Sequence, residues 1–357
     1  MVVAYGRNGF DANALMVALD AMDLSQFDGF VYGSGFESQP ELLLKLAEQL
    51  PLIGNYPDTV AAVKTPAVFF AALQRLNINY PEVCYAYPET HASAYLIKFS
   101  GGSGGMHVHA ANVHNCLLEG EYYYQKKTHG RPVSLLFLAN KHDIEVIGFN
   151  EQWLSPSPDS PYRYGGAVSH VKLSTSVQQQ LMNAAQKLTV EFGLLGLNSL
   201  DATVAEIGNA SGLDGEVFVL EINPRLSATF DLYGSTELNL FERHVNVCLN
   251  HDGLNQNAVY QSSLQSKAHA IVYATEQIAL SAPLLWPDWV SDTPLLSQKI
   301  LTISVGEPVC SVLACADTAD MAKKIAQSRV EIIQNLLQSL KQYPCANNCV
   351  NLSVQSH

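Results

Sequence analysis

"VLEINPRLSATFDLYG", residues 219–234, makes an unusual strand end. Side chains alternate along a strand, so Glu221 and Asn223 leave from one face while Ile222 turns to the other, toward a core. Pro224 has no amide hydrogen to donate and stops the ladder at once. Arg225 follows directly. A carboxylate, a carboxamide and a guanidinium therefore crowd a strand end locked by a proline. One reading is a polar site; the other is a solvated glutamate beside a turn proline.

Working outward, "GLNSLDATVAEI" (196–207) and "GEVFVLEIN" (215–223) read as two strands joined by the polar turn "GNASGLDG". If they pair antiparallel, Asp201 at the end of "NSLD" converges on the same face as Glu221 and Asn223. Three hard oxygen ligands with incomplete charge neutralisation suit Mg²⁺ (or Mn²⁺) shared with substrate phosphates. The planar fork of Arg225 suits a phosphate or an acyl phosphate.

A second stretch supplies context. "YLIKFSGGSGGMHV" (95–108) fits neither G-x-x-x-x-G-K-[ST] nor G-x-G-x-x-G, which excludes both a P-loop and a dinucleotide fingerprint. It offers a strand carrying Lys98, then a loop of Gly101, Gly102, Ser103, Gly104 and Gly105. Such glycines let backbone amides wrap an anion and let a loop close over a nucleotide. A plain flexible turn is the alternative; the lysine inside an apolar strand favours phosphate. His107 and His109 lie two apart and share a face, within reach of phosphate or metal, or as ordinary strand histidines.

Composition bounds the rest. The 357 residues are 48% hydrophobic and only 15% charged, as in a compact globular chain of two or three subdomains. With 20 Lys+Arg against 33 Asp+Glu, the net charge of −13 argues against nucleic acid or an anionic membrane as partner. Seven cysteines at irregular spacing are a poor disulfide framework and imply a reducing, cytoplasmic setting. "MVVAYGRNGFDA" has no signal-peptide pattern, and no apolar run is long enough to span a membrane.

The fold class reads as α/β (α+β). Residues 1–60 alternate apolar runs ("FDGFVYGSGF", "PLIGN") with the helix "SQPELLLKLAEQL". "TPAVFFAALQRLNI" (65–78) is a helix with Thr65 as cap and Pro66 at its first position. "GRPVSLLFLA" reads as a buried strand, residues 151–167 as a loop and 176–194 as a long helix. Mixed strands ("AHAIVYAT", "KILTISV", "VCSVLACA") and a last helix over 319–343 follow.

Taken together, Lys98 with its glycine loop and the pair "GLNSLD" and "VLEINPR" resemble the ATP-grasp superfamily of carboxylate–amine ligases. The resemblance extends over nearly the whole chain, through the entry helix "VKTPAVFFAALQRLNINYPEV" and a β-rich C-terminal element similar to that of biotin-carboxylase-like members. It implies a pre-ATP-grasp α/β domain (1–63), a lid subdomain with hinge (64–127), a metal-binding catalytic subdomain (128–250), the β-rich element (251–344) and a mobile tail (345–357). Matched position by position, Lys64 and Lys98 contact ATP phosphates and Gly101 to Gly105 form the lid. Tyr124, Gln125, Lys126 and Lys127 form the hinge that presents backbone groups to adenine. Asp201, Glu221 and Asn223 hold the metal, and Arg225 steadies the phosphoryl group in transfer, with Lys98 beside it.

The implied reaction phosphorylates a carboxylate with ATP, and an amine then attacks the acyl phosphate to give an amide. Its partners are a small-molecule carboxylate and amine, with room for a homodimer. The loop looks most like the amino-acid ligases of one-carbon cofactor synthesis. Two departures stand out: "QKKTHG" replaces an acidic and apolar hinge, and Asp201 stands where many relatives carry Glu or Gln. On the acceptor side, Tyr162, Arg163 and Tyr164 read as contacts for an amino-acid carboxylate or an aromatic amine, or as surface. Ser227, Thr229 and Asp231 read as helix caps or substrate contacts. Two other readings stay open: a carboxylase or phosphotransferase using another acceptor, and a sensor that holds ATP without turnover.

Overall fold

The computed structural model describes residues 5–6, 9–112, 121–206, 215–234, 239–251, 253–255, 265–281, 284–294 and 300–342. The polar turn joining the two strands (207–214) and the tail from 345 lie outside these residues. In chain order come β1 (Tyr5–Gly6), β2 (Gly9–Phe10), α1 (Ala12–Asp20), α2 (Pro40–Gln49), α3 (Pro57–Lys64) and α4 (Pro66–Arg75). The lid strands follow: β3 (Val83–Cys84), β4 (Tyr95–Phe99), β5 (Val108–Ala110) and β6 (Tyr122–Lys126). Next are β7 (Arg131–Asn140), β8 (Ile144–Leu154), β9 (Tyr164–Ser169), α5 (Thr175–Phe192), β10 (Leu195–Glu206), β11 (Gly215–Asn223) and α6 (Leu240–Cys248). The chain closes with β12 (Ser266–Tyr273), β13 (Ile278–Leu280), β14 (Val290–Ser291), β15 (Leu301–Ile303), β16 (Pro308–Ala316) and α7 (Ala319–Gln342).

An eight-stranded sheet, ordered β11-β10-β7-β8-β9-β12-β16-β14, forms the centre, and every neighbouring pair in it runs antiparallel. This is the α+β form of the class. The C-terminal strands β12 and β16 extend that same sheet rather than building a separate layer. Alternation along β7 explains its two faces. Val133, Leu135, Phe137 and Ala139 join the main core with Val177, Leu181 and Leu188 of α5 and Ala322, Ala326 and Ile333 of α7. Leu136 and Leu138 point the other way, toward Leu197, Leu232, Tyr233 and Leu240. The face covered by α5 and α7 is apolar, and the opposite face combines this second apolar cluster with the polar residues.

Several expectations change against the structure. Residues 151–167 are not one loop, because β8 runs to Leu154 and β9 begins at Tyr164. The glycines and tyrosines there read as turn chemistry, but the pairing of β8 with β9 overrides it. "FDGFVYGSGF" and "PLIGN" are not full strands; among the described residues they share a single parallel bridge, Phe30 to Leu52. Thr65 stands at the N-cap of α4 without capping it, since its hydroxyl donates to the Ala61 carbonyl of α3. Ser227 likewise precedes a short 3-10 helix without capping it and bonds Thr229 instead.

The lid is a four-stranded sheet, β3-β6-β4-β5, with its own small core of Tyr95, Ile97, Ala111 and Tyr124. The N-terminal segment packs around Tyr32, Phe36, Leu43 and Val60. It is pinned to the central sheet by Asn55, which accepts from the Leu195 amide at 2.8 Å and donates to Asn198 Oδ1 and the Pro224 carbonyl. His244 adds a second pin, accepting from the Leu197 amide at 2.9 Å and meeting the Ile53 carbonyl at 3.1 Å.

Candidate functional site

The site begins with a bulge. Asp201 pairs with Glu221, but Ala202 pairs with Val219, so Leu220 is an extra residue in β11. Val217 and Val219 face the helices; without the bulge Glu221, at the same parity, would follow them into the core. The extra residue reverses the parity, so Glu221 and Asn223 reach the polar face while Ile222 stays in the core. Register then carries the polar row across the sheet, since Asp201 opposes Ser134, Ser134 opposes Asn150, and Asn150 opposes Ser169.

At the strand end the groups hold one another. Lys64, the last residue of α3, donates to Asn223 Oδ1 at 3.1 Å and to Glu221 Oε2 at 3.4 Å. Asn223 Nδ2 donates to Asp201 Oδ2 at 2.9 Å, and Gln152 Nε2 donates to Asp201 Oδ1 at 3.0 Å. Arg225 donates through Nε to Glu37 Oε1 at 2.6 Å and through Nη2 to Asn223 Oδ1 at 3.4 Å. Both partners of that ion pair are buried, Arg225 at 8% and Glu37 at 2% exposure.

Electrostatics sort the carboxylates. Burial, and then the charge of Glu221, push Asp201 upward. Burial alone would raise Glu221 as well, but the charges of Lys64, Lys98 and Arg225 outweigh it and hold that carboxyl low. Burial raises Glu37 too, yet Arg225 and Lys64 bring it below the usual carboxylate range. Burial pushes the Lys98 ammonium down against the pull of Glu221 and Asp201.

Two in-register carboxylates with a carboxamide oxygen beside them fit a hard divalent cation, whose charge would offset the burial and the repulsion that push Asp201 upward. Among the described residues no group of three or more His, Cys, Asp or Glu is placed to hold a metal. The protein set therefore fits an ion completed by waters and phosphate oxygens, the habit of Mg²⁺.

Facing this end is a pocket lined by Lys64, Phe69, Phe70, Phe99, Ser100, Gly101, Gly102, His107, Tyr123 and Glu221, among others. The lid supplies one wall. Gly101 (φ 71°), Gly104 (φ 64°) and Gly105 (φ 73°) all take left-handed backbone. The loop is docked at both ends. A Cβ on Gly101 would lie 2.6 Å from Ser38 Cα, and one on Gly105 would lie 1.9 Å from the Tyr162 carbonyl oxygen. The Gly104 carbonyl also accepts from the Tyr164 amide at 2.9 Å.

The structure thus gathers Lys64, Gly101, Gly102, Glu221, Asn223, Asp201 and Arg225 into one region. Lys98 belongs there as well, on the β4 face opposite Ile97, paired with Tyr123 in register. Ser103, Gly104 and Gly105 lie beyond the pocket lining. The hinge residues behave differently. Tyr124 is 1% exposed and packs into the lid core. The Lys126 and Lys127 amides are used by Glu82 and Ala94 carbonyls, and their ammonium groups reach Glu82 and the Ser93 carbonyl. Gln125 is buried on the Tyr123 side of β6. Of the "YYYQK" run, Tyr123 lines the pocket, and strand alternation from Lys98 is the signal that points to it.

Arg163 does not face the site. It lies 3.7 Å above the Tyr273 ring and donates to the Ser155 and Gly306 carbonyls. Tyr164 is held by His269 Nε2 at 2.8 Å. Sequence reasoning missed Glu37, Ser100 and Gln152, which belong to segments distant in sequence from the strand end and come together only on folding.

No curated protein sequence matches the chain significantly. Solved structures do, at low identity. A biotin carboxylase from Campylobacter jejuni, in complex with an ATP analogue, is 13% identical over 91% of this chain and 78% of its own, with a TM-score of 0.65. The biotin carboxylase domain of a Hydrogenobacter thermophilus 2-oxoglutarate carboxylase, bound to MgADP, ADP and bicarbonate, is 10% identical over 94% and 85%, with a TM-score of 0.66. An L-amino acid ligase from Bacillus licheniformis is 14% identical over 89% and 83%, with a TM-score of 0.62. These likenesses establish the fold. Residues 67–229 match the family model of the ATP-grasp domain. Residues 67–229 of this chain are an ATP-grasp domain.

Proposed function

We propose that this protein is an ATP- and Mg²⁺-dependent carboxylate–amine ligase. The carrying observation is the convergence of Lys64, Asp201, Glu221, Asn223 and Arg225 at one strand end beneath a glycine lid. Phosphoryl transfer needs positioning and charge neutralisation more than covalent chemistry from the protein, and this set supplies both. Lys64 and Lys98 hold the nucleotide phosphates, and Arg225, oriented by Glu37, holds the group in transfer. Asp201, Glu221 and Asn223 would hold Mg²⁺, which when bound neutralises the charge developing between nucleotide and acceptor.

The γ-phosphoryl group passes to a substrate carboxylate, giving an acyl phosphate and ADP. An amine then displaces phosphate and forms the amide. An amino acid is our choice for one substrate. The polar row of Ser134, Asn150, Gln152 and Asp201, on the face that carries the strand-end groups, supports a polar acceptor. We place the reaction in the cytoplasm; the four described cysteines are free, and no described helix is long and apolar enough to cross a membrane.

The deciding experiment is an ADP-release screen over paired carboxylate and amine libraries. ADP formed only when both are present supports the ligase. Two of the solved relatives above are biotin carboxylases, which favours one second reading: turnover that depends on bicarbonate, with no need for an amine, would replace the ligase by a carboxylase. Tight ATP binding with no ADP under any acceptor would make the protein a sensor.

A further inference from the structure

The pocket beneath the lid contains two polar atoms that the protein itself leaves unpaired. His107 Nδ1 and Ser100 Oγ are both buried, and neither makes a well-aligned hydrogen bond among the described residues, although the Ser103 backbone lies against the imidazole. Leaving a buried donor or acceptor unmade forfeits its hydration with nothing in return, so such atoms ask for an explanation. Both residues line the pocket that Lys64 and Glu221 also line. The His107 ring lies over the lid loop: a Cβ on Gly102 would come 2.7 Å from Nδ1 and 2.2 Å from Cγ. Gly102 is thus the residue that admits the imidazole to the pocket.

The identity of the missing partner follows from the neighbours. A metal ion is disfavoured as the partner of these two atoms, because a serine hydroxyl and one imidazole bring no negative charge to it beside the Lys64 ammonium that also lines the pocket. An apolar ligand would leave both atoms unpaired. An anionic oxygen satisfies both, accepting from the imidazole N–H and the serine hydroxyl, with Lys64 supplying charge. The aromatic wall of Phe69, Phe70, Phe99 and Tyr123 suits the body of a nucleotide on the same anion.

We infer that His107, with Ser100, is a phosphate-binding residue of this protein, donating through Nδ1–H to the phosphate chain of the nucleotide when the lid is docked. The inference rests on the ATP-site reading above and adds to it a neutral donor pair outside the lysines. A neutral imidazole fits here, since a third full charge beside Lys64 and Lys98 would repel both.

The test measures binding of ATP and of adenosine, each by calorimetry with Mg²⁺ present, to wild type, His107→Ala, His107→Asn and Ser100→Ala. A hydrogen bond to a charged group predicts that His107→Ala weakens ATP about 10-fold or more while adenosine is unchanged. His107→Asn, whose amide nitrogen stands near the former Nδ1, restores most of the loss, and Ser100→Ala shows a smaller ATP-specific loss. ¹⁵N-histidine spectra of the wild-type protein keep the inference testable should a variant misfold: the His107 Nδ1 signal shifts with ATP and not with adenosine. Equal ATP affinity in wild type and His107→Ala overturns the inference, as does an equal loss for ATP and adenosine. An altered Mg²⁺ requirement at unchanged nucleotide affinity also overturns it, making His107 a metal ligand. Wild type that binds no ATP removes the ATP-site reading and this inference with it; wild type that binds while His107→Ala is unaffected removes this inference alone.

Discussion

The strand end at Glu221 and the glycine loop at 101–105 face each other but are built on opposite plans. At the strand end each functional side chain is held by another: Lys64 by Glu221 and Asn223, Asn223 by Asp201, Asp201 by Gln152, Arg225 by Glu37. In the loop wall the backbone is twisted into left-handed conformations, and the side chains of Ser100 and His107 are left unpaired. One half is rigid and self-satisfied; the other is docked by contact and completed by what it binds. Fixed charges need preorganisation to be useful in transfer chemistry, whereas a lid needs freedom to leave.

The first way to break this comparison is to remove a charge from the rigid half. Glu221→Gln should cut ADP production at least about 100-fold while the melting curve stays close to wild type, because the side chain lies at a strand end outside the packed core. Wild-type ADP production in this variant would end the assignment of Glu221 to the site. Next comes the brace behind Arg225. Glu37→Gln leaves a buried guanidinium without its counter-charge, and losses for broken buried pairs run to about 3–5 kcal/mol. Denaturant titration should show a destabilisation of that order; a change below about 1 kcal/mol would mean that Glu37 does not anchor the arginine.

The flexible half is tested by a matched pair. A Cβ on Gly105 collides with the Tyr162 carbonyl, whereas one on Gly104 meets nothing within 4 Å, although both residues have positive φ. Gly105→Ala should therefore lower turnover about 10-fold or more by keeping the loop from docking, and Gly104→Ala should show only the modest cost of a left-handed alanine. Equal effects would mean that docking against Tyr162 is irrelevant to catalysis.

The mildest probe is acid. Burial lowers His244 and His269 to about 4, so each is neutral in the folded chain. The unfolded chain binds those protons near pH 6.5, so the stability they contribute is complete above that pH and is lost as pH falls from 6.5 toward 4. The melting temperature should drop across that window, and His244→Asn should flatten the slope. A slope unchanged in the variant would show that His244 does not carry it.

Much of the fold is legible along the chain because it follows local rules. Apolar alternation finds β7, β10 and β11, and an amphipathic stripe finds α5, since burial of one face imposes those periods. The polar turn chemistry of "SPSPDSPYRYGG" hides β9, whose Tyr164 and Gly166 are extended only because β8 and β12 pair with them. Arg163 looks like a substrate-binding group for the same reason: nothing local shows the Tyr273 ring beneath it.

By itself the sequence determined which chemistry was present: a proline-locked strand end with Glu221, Asn223 and Arg225, a glycine loop beside Lys98, and an acidic chain of net charge −13. These are properties of residue type and short spacing, and they survive without coordinates. Only the tertiary structure decided how the groups meet. The bulge at Leu220 turned Glu221 from the core face to the polar face, and folding brought Glu37, Gln152 and Lys64 from distant segments to the same strand end. Strand parity and long-range contact depend on which partner lies alongside, and a linear pattern carries no record of that partner.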